Sequence, residues 1–588
     1  MDGSFIDTFN AWTAAVGNVL WNDAVLYILL GTGVLFTVWS GFSQWRALTH
    51  GSQVLRGKYD DPNDPGAINH FQALSAALSA TVGLGNIGGV ALAITLGGPG
   101  AVFWIWVVGL VGMAVKMVEV LQSMMYRNTH DRDEPHGGPM WVVSKGIAEM
   151  NPKLAWLGKT IGVIFCFTLL VSAITGGNMF QAWNVGEITE SYFGVPSIIT
   201  GVILAILVGL VIIGGIKRIG AVAGRLVPIM IALYLIASIL IIGANITEIP
   251  GILKLIVVSA FVPHQAAGAF MGGAAGYVFL IGMQRALFSN EAGQGSAPIA
   301  HSAAKTDEPV REALVAGMEP FIDTIVVCTL TAIVILATGV WQRDAEAHYD
   351  RDLQVLPTDL NVWSLPTERA PVQPDGVAWN DGETVFLYMV GDHNEQSGNN
   401  LHRLTGTVHV AESGAAEIAW NEVESIERPR IVDGGVYIQY SGATLTARAF
   451  DSFMPGLGMW LVTLAVWLFA ISTMISWSYY GEQGMIYMLG EKSVLPYKFA
   501  YCGFVIVATM DFVTTDTELN NLTSIGTGVM LWANIPIMLF FGAKAIRAYK
   551  DYLRRLDSGE MEAGHDLPSL YDLMSGKDVE RAMENRDD

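Results

Sequence analysis

The sequence predicts an all-α polytopic membrane protein of eleven transmembrane helices. One N-terminal helix precedes two halves of five, and a small β-rich domain is inserted in the second half. Three observations predict this. The chain of 588 residues is 52% hydrophobic with a mean hydropathy of +0.41. It carries repeated apolar runs of about twenty residues, the length that crosses a bilayer. Two of these runs, the second and the seventh, are long and interrupted by glycines, and each opens a set of five. Interrupted helices at corresponding positions of two halves mark an inverted repeat.

The runs lie near 23–44, 68–97, 100–126, 158–184, 196–214, 221–243, 268–300, 318–340, 455–489, 496–514 and 522–546. The N-terminus is acidic and lacks the basic flank of a cleaved signal peptide, so 1–67 reads as a retained helix with its loop. Residues 68–243 form the first half. Residues 244–340 open the second, which resumes at 451–546 before a charged tail at 547–588. Basic residues set the orientation. Arg46, Arg56 and Lys58 follow the first run, Arg127, Arg132, Lys145, Lys153 and Lys159 the third, and Lys544, Arg547, Lys550, Arg554 and Arg555 the last. Glu187, Glu190, Glu248, Asp516 and Glu518 occupy alternate loops. The expectation is a multi-pass plasma (inner) membrane protein with its N-terminus outside and its C-terminus in the cytoplasm.

Residues 341–450 contain seventeen Asp/Glu against seven Arg and no Lys, about half of the net charge of −21. The stretches Thr384–Val390, Leu404–Val410, Glu417–Val423 and Gly435–Phe450 are rich in Val, Tyr and Thr, alternate in polarity and are separated by Gly-containing turns, which reads as a small extracytoplasmic β-rich domain. Turn-prone flanks at Thr338-Gly339 and Pro455-Gly456 allow it to sit there without disturbing the helices, and it is expected to stand outside the transport mechanism, the alternative being that it packs onto the outer vestibule as a lid.

The second run holds Ser79-Ala-Thr-Val-Gly-Leu-Gly-Asn-Ile-Gly-Gly89. Each glycine weakens a helix by about 1 kcal/mol against alanine, and four so close together do not fall on one packing face, so a break is expected. In lipid a break is tolerated only where its freed backbone lines a protected cavity. There it offers carbonyls to a cation and N–H groups to an anion. Gly83, Leu84, Gly85 and Asn86 could aim N–H groups at a carboxylate, and the carbonyls of Ser79 and Val82 could hold a hard cation. In the seventh run, Phe279 and Met283 read either as walls for a small side chain or as ordinary packing. Arg285 and Glu291 read as an inner gate or as interfacial ions. Asn178 and Gln181 share one face of the fourth segment. Ser472, Thr473 and Ser476 fall within one turn of the ninth, completing a cation shell or bonding back to their own helix. Glu319 and Asp323 read more weakly, as partners of Lys116 or Arg127.

These strings resemble the alanine/glycine:cation symporter family. The matching pieces are Leu78 to Gly89, Gly97-Gly-Pro-Gly-Ala101, Gly138-Pro-Met140, Phe288-Ser-Asn-Glu-Ala-Gly293, Ser296-Ala-Pro298, Phe321-Ile-Asp-Thr324 and Trp477-Ser-Tyr-Tyr-Gly-Glu482. Val82-Gly-Leu-Gly-Asn86 is also similar to the first-helix break of LeuT-type sodium symporters. The resemblance implies a LeuT-like five-plus-five inverted repeat with one extra N-terminal helix. It implies that Gly83 to Asn86 hold the substrate carboxylate, that Asn178, Gln181, Thr473, Ser476 and Trp477 line the substrate site, and that Ser79, Val82, Phe469, Ser472 and Thr473 bind sodium. Two departures stand out: Ala286 follows Arg285 where the family has glycine, and Ser476 replaces a glycine. The insert lies outside the family's common core.

The functional expectation is a sodium-coupled symporter importing alanine or glycine, with sodium as coupling ion and no cofactor. An ion channel, a receptor with an outer ligand-binding domain and a proton-coupled carrier are the alternatives. The charge of −21 argues against nucleic acid as a partner. Three cysteines, Cys166, Cys328 and Cys502, give neither a disulfide framework nor a metal spacing, and no nucleophile motif points to an enzyme.

Overall fold

The computed structural model describes residues 3–374, 377–411, 413–440, 442–510, 516–561 and 567–577. Each predicted apolar run is helical. Ala11–Trp39, Gly100–Tyr126, Pro152–Phe193, Gly215–Ala244, Pro309–Ala337, Gly458–Leu489 and Asn521–Asp557 are long and apolar enough to cross a membrane. An eighth span arises if His70–Thr81 and Gly85–Gly97, which meet at 51°, count as one. Among the described residues, length and composition thus support seven or eight of the expected eleven spans. Ser197–Ile212 and Ala275–Asn290 have 16 residues each and Val494–Ala508 has 15, short of the roughly 20 that a 30 Å hydrocarbon layer needs. The run from 275 is cut at Glu291, whose left-handed backbone (φ 53°) ends the helix. Residues 511–514 of the tenth predicted segment lie outside the described residues, as do 562–566 and 578–588 of the tail.

Gly100–Tyr126 packs against Ala275–Asn290 and Pro309–Ala316, while Leu457–Leu489 lies between Ala155–Ile174 and His70–Thr81. Both broken helices are thereby held inside the bundle. The first begins on a capping box: Asn69 accepts from the Gln72 N–H at 2.8 Å and the Gln72 side chain answers the Asn69 N–H.

The inserted domain is a β unit. Its larger sheet runs β1 (Ala347–His348), β10 (Gly435–Ile438), β5 (Thr384–Asn394), β6 (Asn399–Val410), β7 (Ala416–Trp420), β4 (Glu368–Arg369), with β9 (Arg430–Ile431) also paired to β5. A smaller sheet joins β2 (Leu356–Asp359), β3 (Val362–Ser364) and β8 (Val423–Glu424). All pairs are antiparallel. Strand alternation sends Val385, Leu387 and Met389 into the domain's own core with Leu404, Val408, Ile418 and Val436. The opposite face, Phe386, Tyr388 and Tyr437, buries against Ala269 and Met271 of the bundle. β5 is thus buried on both sides, which an isolated surface domain would not be.

The strand expected over Gly435–Phe450 ends at Ile438. The chain turns at Gly442 (φ 56°) into a helix, Ala443–Phe453, whose Leu445, Thr446, Ala449 and Phe450 are buried at helical spacing. Thr446 donates to the Ile87 carbonyl at 3.1 Å, and a Cβ on Gly88 would stand 3.0 Å from Gly442 Cα. This last stretch of the predicted insert therefore packs on the first broken helix and is part of the bundle.

Candidate functional site

The first break is a compact turn. Val82 is extended (φ −75°, ψ 98°), the Gly83 N–H donates to Asn86 Oδ1 at 2.8 Å and the Asn86 N–H donates to the Gly83 carbonyl at 3.1 Å. Gly85–Gly89 continue as a π turn before Val90 restarts the α-helix. Two of the four N–H groups expected to face a carboxylate are thus engaged within the turn, and those of Leu84 and Gly85 take no part in it. A Cβ at Gly83 would lie 3.1 Å from Thr473 Oγ1, so the glycine admits the close approach of the 457–489 helix.

Across that contact hard oxygens gather. Ser79 Oγ donates to the Ser472 carbonyl at 2.6 Å, and Ser472 Oγ lies 2.8 Å from the Phe469 carbonyl and 3.3 Å from that of Ser79. Ser79, Val82, Phe469 and Ser472 are all buried. Thr473 Oγ1 is buried without a hydrogen-bond partner. Carbonyl and hydroxyl oxygens from two helices, one of them unanswered, are the donor set of a hard cation.

Further orphaned polar atoms lie where the 155–193 helices meet the 457–489 helix. Asn178 donates to the Tyr501 carbonyl at 2.7 Å and Gln181 to that of Gly176 at 3.1 Å, while Asn178 Oδ1, Gln181 Oε1 and Ser476 Oγ have no partner. Asn178 belongs to a second π turn, Thr175–Met179. A Cβ on Gly177 would stand 2.3 Å from Trp477 Cγ, which places the indole directly against this turn. Unpartnered buried polar groups cost about 1–3 kcal/mol each.

Phe279 and Met283 stand on another face of their helix. The Phe279 ring meets Trp104 at 4.7 Å and Tyr27 at 5.5 Å. Met283 faces a small cavity shared with Leu29, Val108 and Val115. Ser289 instead turns toward the first break. Arg285 and Glu291 are not brought together. The Arg285 guanidinium lies 5.8 Å from the Phe288 ring centroid and its Nε has no acceptor, whereas Glu291 accepts from Ser296 Oγ at 2.5 Å.

The strongest link between the two broken helices is one that sequence reasoning placed elsewhere. Asp323, fully buried in a third π turn (Phe321–Val327), accepts from Asn86 Nδ2 at 2.5 Å, from Ser289 Oγ at 2.8 Å and from Thr324 Oγ1 at 2.8 Å. It pairs with neither Lys116 nor Arg127. Lys116 bonds Glu319 at 3.1 Å, and Arg127 donates to the carbonyls of Ser302 and Ala304. Glu319 also lies 3.7 Å from His301 Nε2. His301 Nδ1 is 2.5 Å from Glu312, whose other oxygen bonds His70. The available signal was the presence of Lys116, Glu312 and Glu319 within or beside apolar runs, since buried ions in a membrane segment are rarely incidental.

A bundle of membrane-length helices with a broken helix held inside it, and an open hydroxyl against the break, is the frame of a membrane carrier. The chain belongs to the sodium:alanine symporter family, whose profile matches residues 6–364 and 430–565. It is 34% identical over 539 residues to the sodium/alanine symporter AgcS of Methanococcus maripaludis, covering 91% of this chain and 96% of that one. It is 30% identical over 553 residues to a putative sodium/proton-dependent alanine carrier protein, YrbD, of Bacillus subtilis, covering 93% of each. The crystal structure of MhsT in complex with L-phenylalanine superposes with a TM-score of 0.47 at 11% identity, over 88% of this chain and 99% of that one. The unmatched segment, 365–429, begins within the predicted insert and holds β5, β6 and β7.

Proposed function

We propose that the protein imports a small neutral amino acid, alanine or glycine, together with sodium, by alternating access. The single observation that carries this is the buried, unanswered Thr473 Oγ1 against Gly83, beside the oxygens of Ser79, Phe469 and Ser472. Sodium fits there, with the Val82 carbonyl as a fifth oxygen. The amino acid's carboxylate meets the N–H groups of the break at Leu84 and Gly85, near Gly83 and Asn86. Asn178, Gln181 and Ser476 supply polar contacts, Trp477 closes the side-chain space, and Phe279 and Met283 act only from behind the helix that carries them. Arg285 and Glu291 serve as separate gate residues rather than as a pair. The frame for this mechanism is a LeuT-like five-plus-five repeat of eleven crossings in the plasma membrane, with N-terminus and insert outside. The relatives' names support sodium and alanine.

A second reading, proton coupling, is favoured by one observation: Asp323 bonds Asn86 directly at the break. Counterflow of labelled alanine in proteoliposomes separates the two. Replacing sodium by choline at fixed pH abolishes it under the first reading and leaves it intact under the second.

A further inference from the structure

The junction between the β domain and the bundle encloses a small cavity, with room for about one water-sized body, lined by Arg343, Arg403, Gln439, Tyr440 and Thr95 among others. Its position is built rather than incidental. The tip of the β5–β6 hairpin grips the loop that leads into the second broken helix. Gln396 accepts from the Ala274 N–H at 3.0 Å, Asn399 donates to the Met271 carbonyl at 2.9 Å and Arg403 donates to that of Ala269 at 3.3 Å. Thr95, on the opposite wall, belongs to the later half of the first broken helix. The cavity therefore touches the domain, the first broken helix and the loop that leads into the second.

Two guanidinium groups line it. Arg343 is neutralised by Glu346 at 2.9 Å. Arg403 forms no ion pair among the described residues; it lies 4.1 Å from the centroid of the Phe386 ring and its buried Nε has no acceptor. Gln439 brings a side-chain amide whose Oε1, as placed, is buried and unanswered. Amide oxygen and nitrogen exchange by a flip, so the same group presents a donor to an anion. Acidic side chains surround the site, Glu346 and Glu383 acting on Tyr440 and Asp344 and Asp433 on Tyr437, and none of them pairs with Arg403. Arg403 is half-buried, and only its Nε–H is cut off from both solvent and partners, a buried donor that is costly to leave unmade.

We propose that this cavity binds one small monovalent anion of halide size, held by Arg403 Nε–H and the Gln439 amide, which pins the β domain onto the first broken helix and the loop before the second. A guanidinium with one unanswered N–H calls for one monovalent anion, and the volume excludes an amino acid. The carriers of the site, Arg403 in 365–429 and Gln439 beyond it, stand apart from the sodium and amino-acid residues proposed above.

The test uses the purified full chain in detergent at fixed sodium concentration and ionic strength, with chloride or bromide exchanged for gluconate. Both halides are expected to raise the melting temperature saturably. Arg403→Gln is expected to weaken the half-saturating halide concentration at least about tenfold, the effect of losing a charge-assisted hydrogen bond. Gln439→Leu, which keeps every charge, is expected to weaken it less, and it serves as the sole variant if Arg403→Gln does not fold. Bromide should give an anomalous diffraction peak beside Arg403 Nε. Identical halide responses in wild type and Gln439→Leu, or no halide response in the wild type, would overturn the proposal. So would alanine in gluconate binding with a second stoichiometric site that Arg403→Gln removes, because the ligand would then be the amino acid's carboxylate. Loss of sodium-driven alanine transport in all variants and the wild type alike would count against the carrier reading without touching this one.

Discussion

The two broken helices are interrupted in opposite ways. At the first, Thr473 Oγ1 is buried and open against Gly83, and Ser476 Oγ lies one turn further along the same helix, also unanswered. At the second, the freed groups are largely answered from within. Asn290 Oδ1 accepts from the Ala292 N–H at 3.0 Å, Asn534 donates to the Gly293 carbonyl at 2.9 Å, and Ser296 closes on Glu291; Gln294 Oε1, Arg285 Nε and Glu119 Oε1 are exceptions. Around the second break the neighbours are also ionic, from Lys116 through Glu319 and His301 to Glu312 and His70. An open polar set waits for a ligand, whereas a filled one fixes geometry. On the proposed function, the first break would take the solutes and the second would hold the frame around it.

The largest effect should come from the ionic set around the second break. Lys116→Met leaves Glu319 buried without its cation, a loss of about 3–5 kcal/mol. Thermal unfolding in detergent should show it as a sharply lowered melting temperature; an unchanged one would mean that the ionic set is not structural. Asn86→Ala is next. It removes the acceptor of the Gly83 N–H and the donor to Asp323, leaving buried groups open at about 1–3 kcal/mol each. Alanine counterflow should fall to background in a protein that still reaches the membrane. Retained counterflow would separate the Asp323 link from transport.

Much of the first break was legible, because four glycines within seven residues, Gly83 to Gly89, cannot be reconciled with an uninterrupted helix. The pattern of the β5–β6 hairpin was legible for the same kind of reason: alternation over a dozen residues has few other meanings. What was not legible depends on partners far apart in the chain. Asp323 meets Asn86 across 237 residues and His70 meets Glu312 across 242, and nothing local to either residue announces the other. The faces of Ala275–Asn290 were also hidden. Periodicity tells which residues share a side, but only packing tells that Ser289 points to the first break while Phe279 points to Trp104. The helix Ala443–Phe453 was misread as strand because its threonines suit either state; burial at 445, 446, 449 and 450 decided it.

Two smaller effects sharpen the contrast. Asn534→Leu should cost about 1–2 kcal/mol by opening the Gly293 carbonyl, lowering the melting temperature while leaving the sodium requirement of transport untouched. A shifted sodium requirement would show that the second break also shapes the cation site. Smallest of all should be the excision of 366–428 with a short Gly/Ser bridge, which spares Ala443–Phe453. Alanine counterflow should persist with unchanged sodium dependence, since the open polar set lies elsewhere; its loss in a folded protein would make the β domain part of the gate.

The most direct test of the central claim is the sodium dependence of labelled alanine uptake by Thr473→Ala in proteoliposomes at fixed pH. Losing one oxygen of about 1.4 kcal/mol should raise the half-saturating sodium concentration about tenfold, with uptake recovering at high sodium. A wild-type sodium curve for this variant would contradict the assignment of the open set at the first break as the cation site.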